Sequence, residues 1–233
     1  MRERKPPYIA IPLNDDKFDE RLNEAFFRGA DIIELRVDML KDREINHINK
    51  LLREVKNKDM LTILTVRAKW EGGETEISDE ERVEIINNCL KFSDFVDIEL
   101  SSHDLLEEVK DNIKLADKKL IVSYHDFEKT PSEEVIRGII EKSLKVGADV
   151  VKYAFNVNHY DDVGRIMSIT YEYYKKGKSL IAIGMGDLGK ITRVAGYFFG
   201  SIITYSYIGS SVAPGQIEIS KLKDELNFYN IRP

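Results

Sequence analysis

The sequence predicts a (β/α)8 barrel, an α/β fold in which residues 1–233 form one domain. Three observations predict it. Short apolar runs alternate with longer, charged segments of helical period about eight times, and no second composition regime appears. The 233 residues give each unit about 29, normal for a strand-plus-helix repeat in a barrel of roughly 250 residues. Glycines in "RGAD" (28–31) and "VGAD" (146–149) stop helices just before the next strand starts.

The elements follow in order. Tyr8–Leu13 is an apolar run that reads as a strand, and Phe18–Arg28 is the helix that returns from it. Asp31–Asp38 is the second strand, and His47 lies on a helix face beyond it. Leu61–Arg67 precedes the helix Ser78–Phe92, and Phe95–Leu100 precedes a helix that starts near His103. Lys119–Asp126 leads into the helix Ser132–Val146. Asp149–Phe155 leads into Tyr160–Lys176, with His159 at the helix start. Ser179–Gly186 and Ile203–Ile208 are the last two strands, and Ile217–Asn227 is the closing helix.

Strands of a fully covered parallel sheet normally read as continuous apolar runs. Several here alternate instead. In "DIIELRVD", Ile33, Leu35 and Val37 oppose Glu34, Arg36 and Asp38. In "LTILTVR", Leu64 and Val66 oppose Ile63, Thr65 and Arg67; in "FVDIEL", Ile98 and Leu100 oppose Asp97 and Glu99. In "LIVSYHD", Val122 and Tyr124 oppose Ser123 and His125; in "VVKYAF", Val151, Tyr153 and Phe155 oppose Lys152. The large apolar set suits the outer face beneath the helices. The polar set then points into the barrel toward the strand C-terminal ends, where barrel active sites lie. One such residue could be a strand-end side chain reaching water. Five strands converging charge on one lumen call for partners, because isolated buried charge is costly.

Lys152 in that lumen has two possible tasks: holding an anion as a fixed cation, or attacking a carbonyl as a neutral amine. His125 is the only one of the four histidines that ends a strand on the inward parity, one βα unit before Lys152. Neighbouring strands lie about 4.8 Å apart, so both side chains can serve one small substrate. A Schiff-base former beside a proton shuttle suggests proton removal next to a carbonyl, followed by elimination or carbon–carbon cleavage.

Other features narrow the field. "GMGDLG" (184–189) matches GxGxxG, but it lies late in the chain without a following ribose-binding acid, so it reads as a tight turn. "RAKWEGGE" (67–74) supplies Arg67 and Glu71 before a Gly-Gly turn, and "SSVAPGQ" (210–216) is a loop at the barrel mouth suited to a lid. Glu34, Asp97 and Glu99 could form an oxygen-ligand set for magnesium, but the adjacent arginines favour charge pairing, and no metal is expected. There is no Zn-type spacing and no nucleophile elbow. The net charge of −6 and pI of about 5.4 argue against non-specific nucleic-acid binding. Cys89 is the single cysteine, so no intramolecular disulfide forms. No apolar run is long enough for a signal peptide or a span, which makes a cytoplasmic protein without membrane partners the expectation.

"ELRVD", "TVRAKWEGG", "SYHDF", "VVKYA", "GMGDLGKITR" and "APGQ" stand in an order that resembles the type I 3-dehydroquinate dehydratases, and the resemblance spans nearly the whole chain. It implies a (β/α)8 barrel, commonly a homodimer, without metal or organic cofactor, that converts 3-dehydroquinate to 3-dehydroshikimate and water. By motif, Lys152 resembles the imine-forming lysine, His125 the general acid/base, and Glu71 the carboxylate that orients it. Glu34, Leu35, Arg36 and Arg67 resemble substrate-contacting and charge-setting positions. Arg193 resembles the arginine that holds the substrate carboxylate, and Gln216 the lid glutamine. The resemblance also implies that Asp38 supports His125 and that Met185 packs on the substrate ring. Two positions depart: Val212, preceded by Ser211, stands where the family often has serine, and Thr192-Arg193 replaces a common Ser-Arg. A class I aldolase, and a catalytically silent barrel that senses an anionic metabolite, are the competing readings.

Overall fold

The alternation seen in the sequence sorts side chains into two cores. In the computed structural model, which describes residues 5–231, the strands are β1 (Tyr8–Leu13), β2 (Ile32–Arg36), β3 (Leu61–Thr65), β4 (Phe95–Glu99), β5 (Lys119–Asp126), β6 (Val150–Asn156), β7 (Leu180–Met185), β8 (Ile203–Tyr207) and β9 (Ile217–Glu218). They form one parallel sheet in the order β7-β6-β5-β4-β3-β2-β1-β8-β9. The barrel closes between β7 and β8 without a full ladder. Ser201 bridges Leu180, the Ile202 N–H donates to the Leu180 carbonyl at 2.8 Å, and Ser201 Oγ accepts the Ala182 N–H at 3.1 Å.

The returning helices are α1 (Phe18–Phe27), α2 (Ile45–Asn57), α3 (Asp79–Cys89), α4 (His103–Leu115), α5 (Glu133–Val146), α6 (Tyr160–Lys175), α7 (Gly186–Gly189), α8 (Thr192–Ala195) and α9 (Ile219–Phe228). Their ends have local causes. Ser78 and Ser132 accept the N–H groups of Glu81 and Val135, capping α3 and α5. Gly147, at φ +112°, ends α5 in a conformation an L side chain resists.

The outer core between strands and helices holds Ile33, Leu35, Val37, Leu64, Val96, Ile98 and Val122, continuing around β6 through Val151, Tyr153 and Phe155. The inner core holds Ala10, Ile32, Ile63, Ile121, Val150, Ile181, Ile183 and Ile203. Above these apolar residues the lumen turns polar, so the barrel floor supplies burial and its upper layer supplies chemistry.

Most other boundaries shift by one or two residues, and three departures bear on the site. β2 stops at Arg36 because Val37–Met39 turn into a 3-10 helix, which withdraws Asp38 from the strand. The segment after β7 breaks into two short helices and a 3-10 turn (Gly196–Phe199). Ile217 and Glu218, expected in the closing helix, pair with Ser206 and Tyr207 as β9 and anchor the mouth loop to the sheet.

Candidate active site

The polar upper layer opens into a cavity lined by Glu34, Arg36, Arg67, Glu71, His125, Lys152, Met185, Arg193, Tyr205 and Gln216, with Phe127 and Val212 at its rim. β6 delivers Lys152 into it, 4% exposed. Its Nζ donates to Asp97 Oδ2 at 2.7 Å and to Tyr205 Oη at 3.2 Å, lies 3.5 Å from Glu34 Oε1, and sits 4.5 Å from the centre of the Tyr205 ring. Arg67 shares the Asp97 carboxylate with the amine, and Asp38 holds Arg36.

Arg67 anchors that arrangement. Its guanidinium reaches Glu99 Oε1 at 2.7 Å, Asp97 Oδ1 at 3.0 Å and Ser123 Oγ at 2.8 Å, and Ser123 Oγ donates onward to Asp97 at 2.6 Å. Burial opposes the Arg67 charge, but Asp97 and Glu99 outweigh it and raise the pKa above its ordinary value. The same network, Arg67 ahead of Lys152, holds Asp97 below the usual carboxylate range despite its burial. Glu99 is also clasped from behind by Arg82 of α3, 1% exposed, which donates besides to the Val66 carbonyl and Ser102 Oγ. The possible oxygen-ligand set of Glu34, Asp97 and Glu99 is therefore occupied by cations. Among the described residues no cluster of His, Cys, Asp and Glu has the grouping a metal ion needs.

His125 is the penultimate residue of β5, and Ser123 is in register with Lys152 on β6. Two residues along one strand and one strand across put the two Cα atoms about 8 Å apart. His125 Nδ1 lies 3.0 Å from Glu71 Oε2, and that oxygen also accepts the His125 N–H at 3.0 Å. Burial, then the Arg67 and Lys152 charges, lower the His125 pKa well below 6.5. The ring is therefore neutral near pH 7. When Glu71 is ionised it accepts Nδ1–H, and Nε2 then keeps its lone pair. Burial pushes Glu71 up to about 7, against the pull of the Ser101 hydroxyl. Phe127 stacks on His125 at 6.3 Å and rests where a Cβ on Gly72 would intrude, 2.7 Å from its ring.

Arg193 is the outlier among the buried cations. It is 4% exposed, and no carboxylate pairs with it among the described residues. Its donors go to backbone carbonyls instead: Gly215 at 2.8 Å, Pro214 at 3.2 Å and Tyr205 at 3.2 Å. Burial pulls its pKa down to about 10. A guanidinium with fixed forks and no counter-ion is a ready anion site. The loop it grips seats closely on the glycine turn, where a Cβ on Gly215 would fall 2.4 Å from the Gly186 carbonyl. Thr192 pins that turn, accepting the Gly184 N–H and donating to the Gly189 carbonyl, both at 2.8 Å.

This chain matches the family model described as Type I 3-dehydroquinase over residues 9–233. The chain belongs to the type I 3-dehydroquinase family. A 3-dehydroquinate dehydratase of Aquifex aeolicus is 42% identical over 224 residues, covering 96% of this chain and 99% of the relative. One of Methanocaldococcus jannaschii is 41% identical over 221 residues, covering 93% and 96%. The crystal structure of the Aquifex aeolicus enzyme superposes with a TM-score of 0.87 at 41% identity, covering 95% of this chain and 98% of that one. The type I enzyme of Clostridium difficile gives 0.89 at 28% identity, covering 99% and 95%.

The type I 3-dehydroquinase resemblance named most of the cavity lining, and two of its readings are corrected here. Leu35 does not line the cavity: its side chain is fully buried in the outer core, because β2 parity turns it away from Glu34 and Arg36. Asp38 does not reach His125. It forms a two-pronged pair with Arg36 at 2.7 and 2.8 Å and accepts the N–H groups of Arg67 and Glu74. Its support for the site is indirect, through the Arg36 fork. Gln216 lines the cavity, but its Oε1 is taken by the Val212 N–H at 2.9 Å and Ser211 Oγ at 3.1 Å, leaving the amide NH2 for a ligand. Val212, not Ser211, lines the cavity. Tyr205, Arg82 and Ser101 escaped the sequence reading.

Proposed function

We propose that this chain dehydrates 3-dehydroquinate to 3-dehydroshikimate through a lysine imine. The observation that carries the reading is a buried amine, Lys152 Nζ, in one cavity with a neutral imidazole and a guanidinium lacking a counter-ion. Arg193 takes the substrate carboxylate and fixes the ring. Before attack, Nζ gives up a proton, with Glu34 as the acceptor at 3.5 Å, while Asp97, held in its charged form, keeps Nζ in place at 2.7 Å. The neutral amine adds to the ketone, one N–H proton moves to the new alkoxide, and the proton lent to the carboxylate returns to that oxygen so that water leaves, giving a protonated imine that draws electrons from the neighbouring carbon. His125 Nε2 removes a proton there to form the enamine. The enamine expels the adjacent hydroxyl, His125 returns its proton to that oxygen, and water departs. Hydrolysis of the imine frees the conjugated product and the amine. Ionised Glu71 holds the imidazole in the tautomer this sequence needs.

Glu34, Arg36, Arg67 and the Gln216 amide are the remaining substrate contacts in this reading, and Met185, 2% exposed, supplies an apolar wall for the ring. The step belongs to the shikimate route to aromatic compounds and needs no metal or organic cofactor. We extend the proposal to a cytoplasmic homodimer. Among the described residues no helix is long and apolar enough to cross a membrane, and Tyr171, Tyr174 and Phe198 supply exposed apolar surface for self-association. A class I aldolase would give a retro-aldol product, and a silent sensor would give none.

One experiment separates these readings. The protein is mixed with 3-dehydroquinate, reduced with borohydride and mapped by mass spectrometry while product absorbance is followed. An adduct on Lys152 and a conjugated enone are expected. Normal turnover by a Lys152→Ala variant overturns the proposal.

A further inference from the structure

Tyr205 stands beside the reacting nitrogen without a role in the steps above. β8 carries it into the lumen, where it is 4% exposed and lines the cavity. Its Oη accepts from Lys152 Nζ at 3.2 Å, and its ring lies 4.5 Å from the same nitrogen. The phenol's own hydrogen has no acceptor among the described residues, since the one contact of Oη is with the donor Nζ. A buried hydroxyl that accepts but finds nothing to donate to is unusual, because such groups normally satisfy both functions. Every other buried hydroxyl around the cavity donates within the protein: Thr65 to Glu34, Ser123 to Asp97 and Thr192 to Gly189.

We propose that the Tyr205 hydroxyl donates a hydrogen bond to the ketone oxygen of the substrate while its ring and oxygen hold Lys152 Nζ in line for attack. The inference rests on the imine reading of Lys152. When Nζ approaches a carbonyl carbon to about 3–3.5 Å, the carbonyl oxygen lies on the order of 3.5 Å from that nitrogen. An oxygen 3.2 Å from Nζ is therefore placed to reach it directly. As Nζ bonds to carbon, the C=O π pair moves onto oxygen, and a donor aimed there stabilises the growing charge. Tyr205 makes and breaks no bond and keeps its proton throughout. Burial, then the Glu34 and Asp97 charges, raise its pKa well above 10, which suits a hydrogen-bond donor rather than a proton donor. The later C–H removal belongs to His125, so the phenol acts on imine formation and hydrolysis alone.

The test is Tyr205→Phe, which keeps the ring and its contact with Nζ and removes only the hydroxyl. Single-turnover imine formation on 3-dehydroquinate is measured by timed borohydride quenching and mass spectrometry. A fall of about 100- to 1,000-fold is expected, the range for losing one donor to a developing oxyanion. A kinetic isotope effect from substrate deuterated at the abstracted position should shrink, as imine formation becomes limiting. Thermal melting checks that the variant folds, and a Tyr205→Leu variant, lacking the ring as well, should lose further rate. Imine formation by Tyr205→Phe at the parent rate overturns the proposal. Absence of any Lys152 adduct in the parent protein would instead overturn the imine reading itself.

Discussion

Replacing Glu71 with glutamine should make the protein more stable relative to its parent as pH rises. Glu71 is 5% exposed and its pKa is pushed up to about 7 from the ordinary 4.5, first by burial and then by the Glu99 charge. A folded-state pKa above the unfolded one means that the folded chain holds this proton more tightly. The stabilisation is complete below 4.5, fades as pH rises, and is gone just above 7. Moving a carboxyl from 4.5 to about 7 costs about 3 kcal/mol once it ionises in place. Between pH 5 and pH 8 the parent should lose about 2.5 kcal/mol that Glu71→Gln does not lose. For a chain of this size that is roughly 5–10 °C in melting temperature. The assay is urea denaturation of both proteins at half-unit steps, with the difference plotted against pH so that titrations common to both cancel. The glutamine has one acceptor oxygen where the carboxylate has two, so it keeps the donation from Ser101 or from the His125 N–H but not both, which offsets the whole curve without bending it. A difference that stays flat from pH 5 to pH 8 would refute the reasoning.

Two further substitutions probe the mouth of the barrel. Arg193→Met removes the guanidinium that has no carboxylate partner, so KM for 3-dehydroquinate should rise about 10- to 100-fold in steady-state assays, the loss expected for a charged hydrogen-bonding partner; an unchanged KM would remove its carboxylate role. Gly215→Ala places a Cβ 2.4 Å from the Gly186 carbonyl at a φ of +74°, so the loop must lift from the glycine turn. We expect kcat/KM to fall about tenfold, from a local cost of roughly 1–2 kcal/mol. Parent-like kcat/KM would show that this seating does not serve catalysis.

The barrel was legible because period and parity are local properties of the chain. β1 and β5 begin and end where the apolar runs do, and the alternation in "DIIELRVD" separates Leu35 from Glu34 by face. Pair choice was not legible, because it depends on strands brought together from far apart. Nothing local says that Arg36 takes Asp38, that Arg67 spans Asp97 and Glu99, or that Arg82 of α3 completes Glu99. Tyr205 was hidden for a different reason. In β8 the larger set, Ile203 and Tyr205, faces the lumen, reversing the polarity of the other alternating strands. The outside of β8 is covered by backbone as well as by apolar side chains. Thr204 Oγ1 donates to the Arg193 carbonyl at 2.8 Å and Ser206 Oγ to the Ile217 carbonyl at 2.6 Å. Small hydroxyl residues therefore fit outward, and the large aromatic is left for the cavity.

That reversal gives the cavity two distinct ends. Around Lys152, carboxylates gather: Asp97 and Glu34, held in place by Arg67 and Thr65. Around Arg193, carbonyls gather and carboxylates do not. An anion entering the first region meets repulsion, and in the second it meets an uncompensated cation. A molecule bearing a carboxylate and a ketone on one ring therefore has one favoured orientation, ketone toward Nζ. Tyr205 joins the two ends, accepting from Arg193 through its backbone carbonyl and from Lys152 through its phenol oxygen. Anion site and nucleophile thus share one residue of β8, the first through its backbone and the second through its side chain. A flexible link there would let the two ends drift, and a misplacement of about 1 Å between reacting groups can cost about 100-fold in rate.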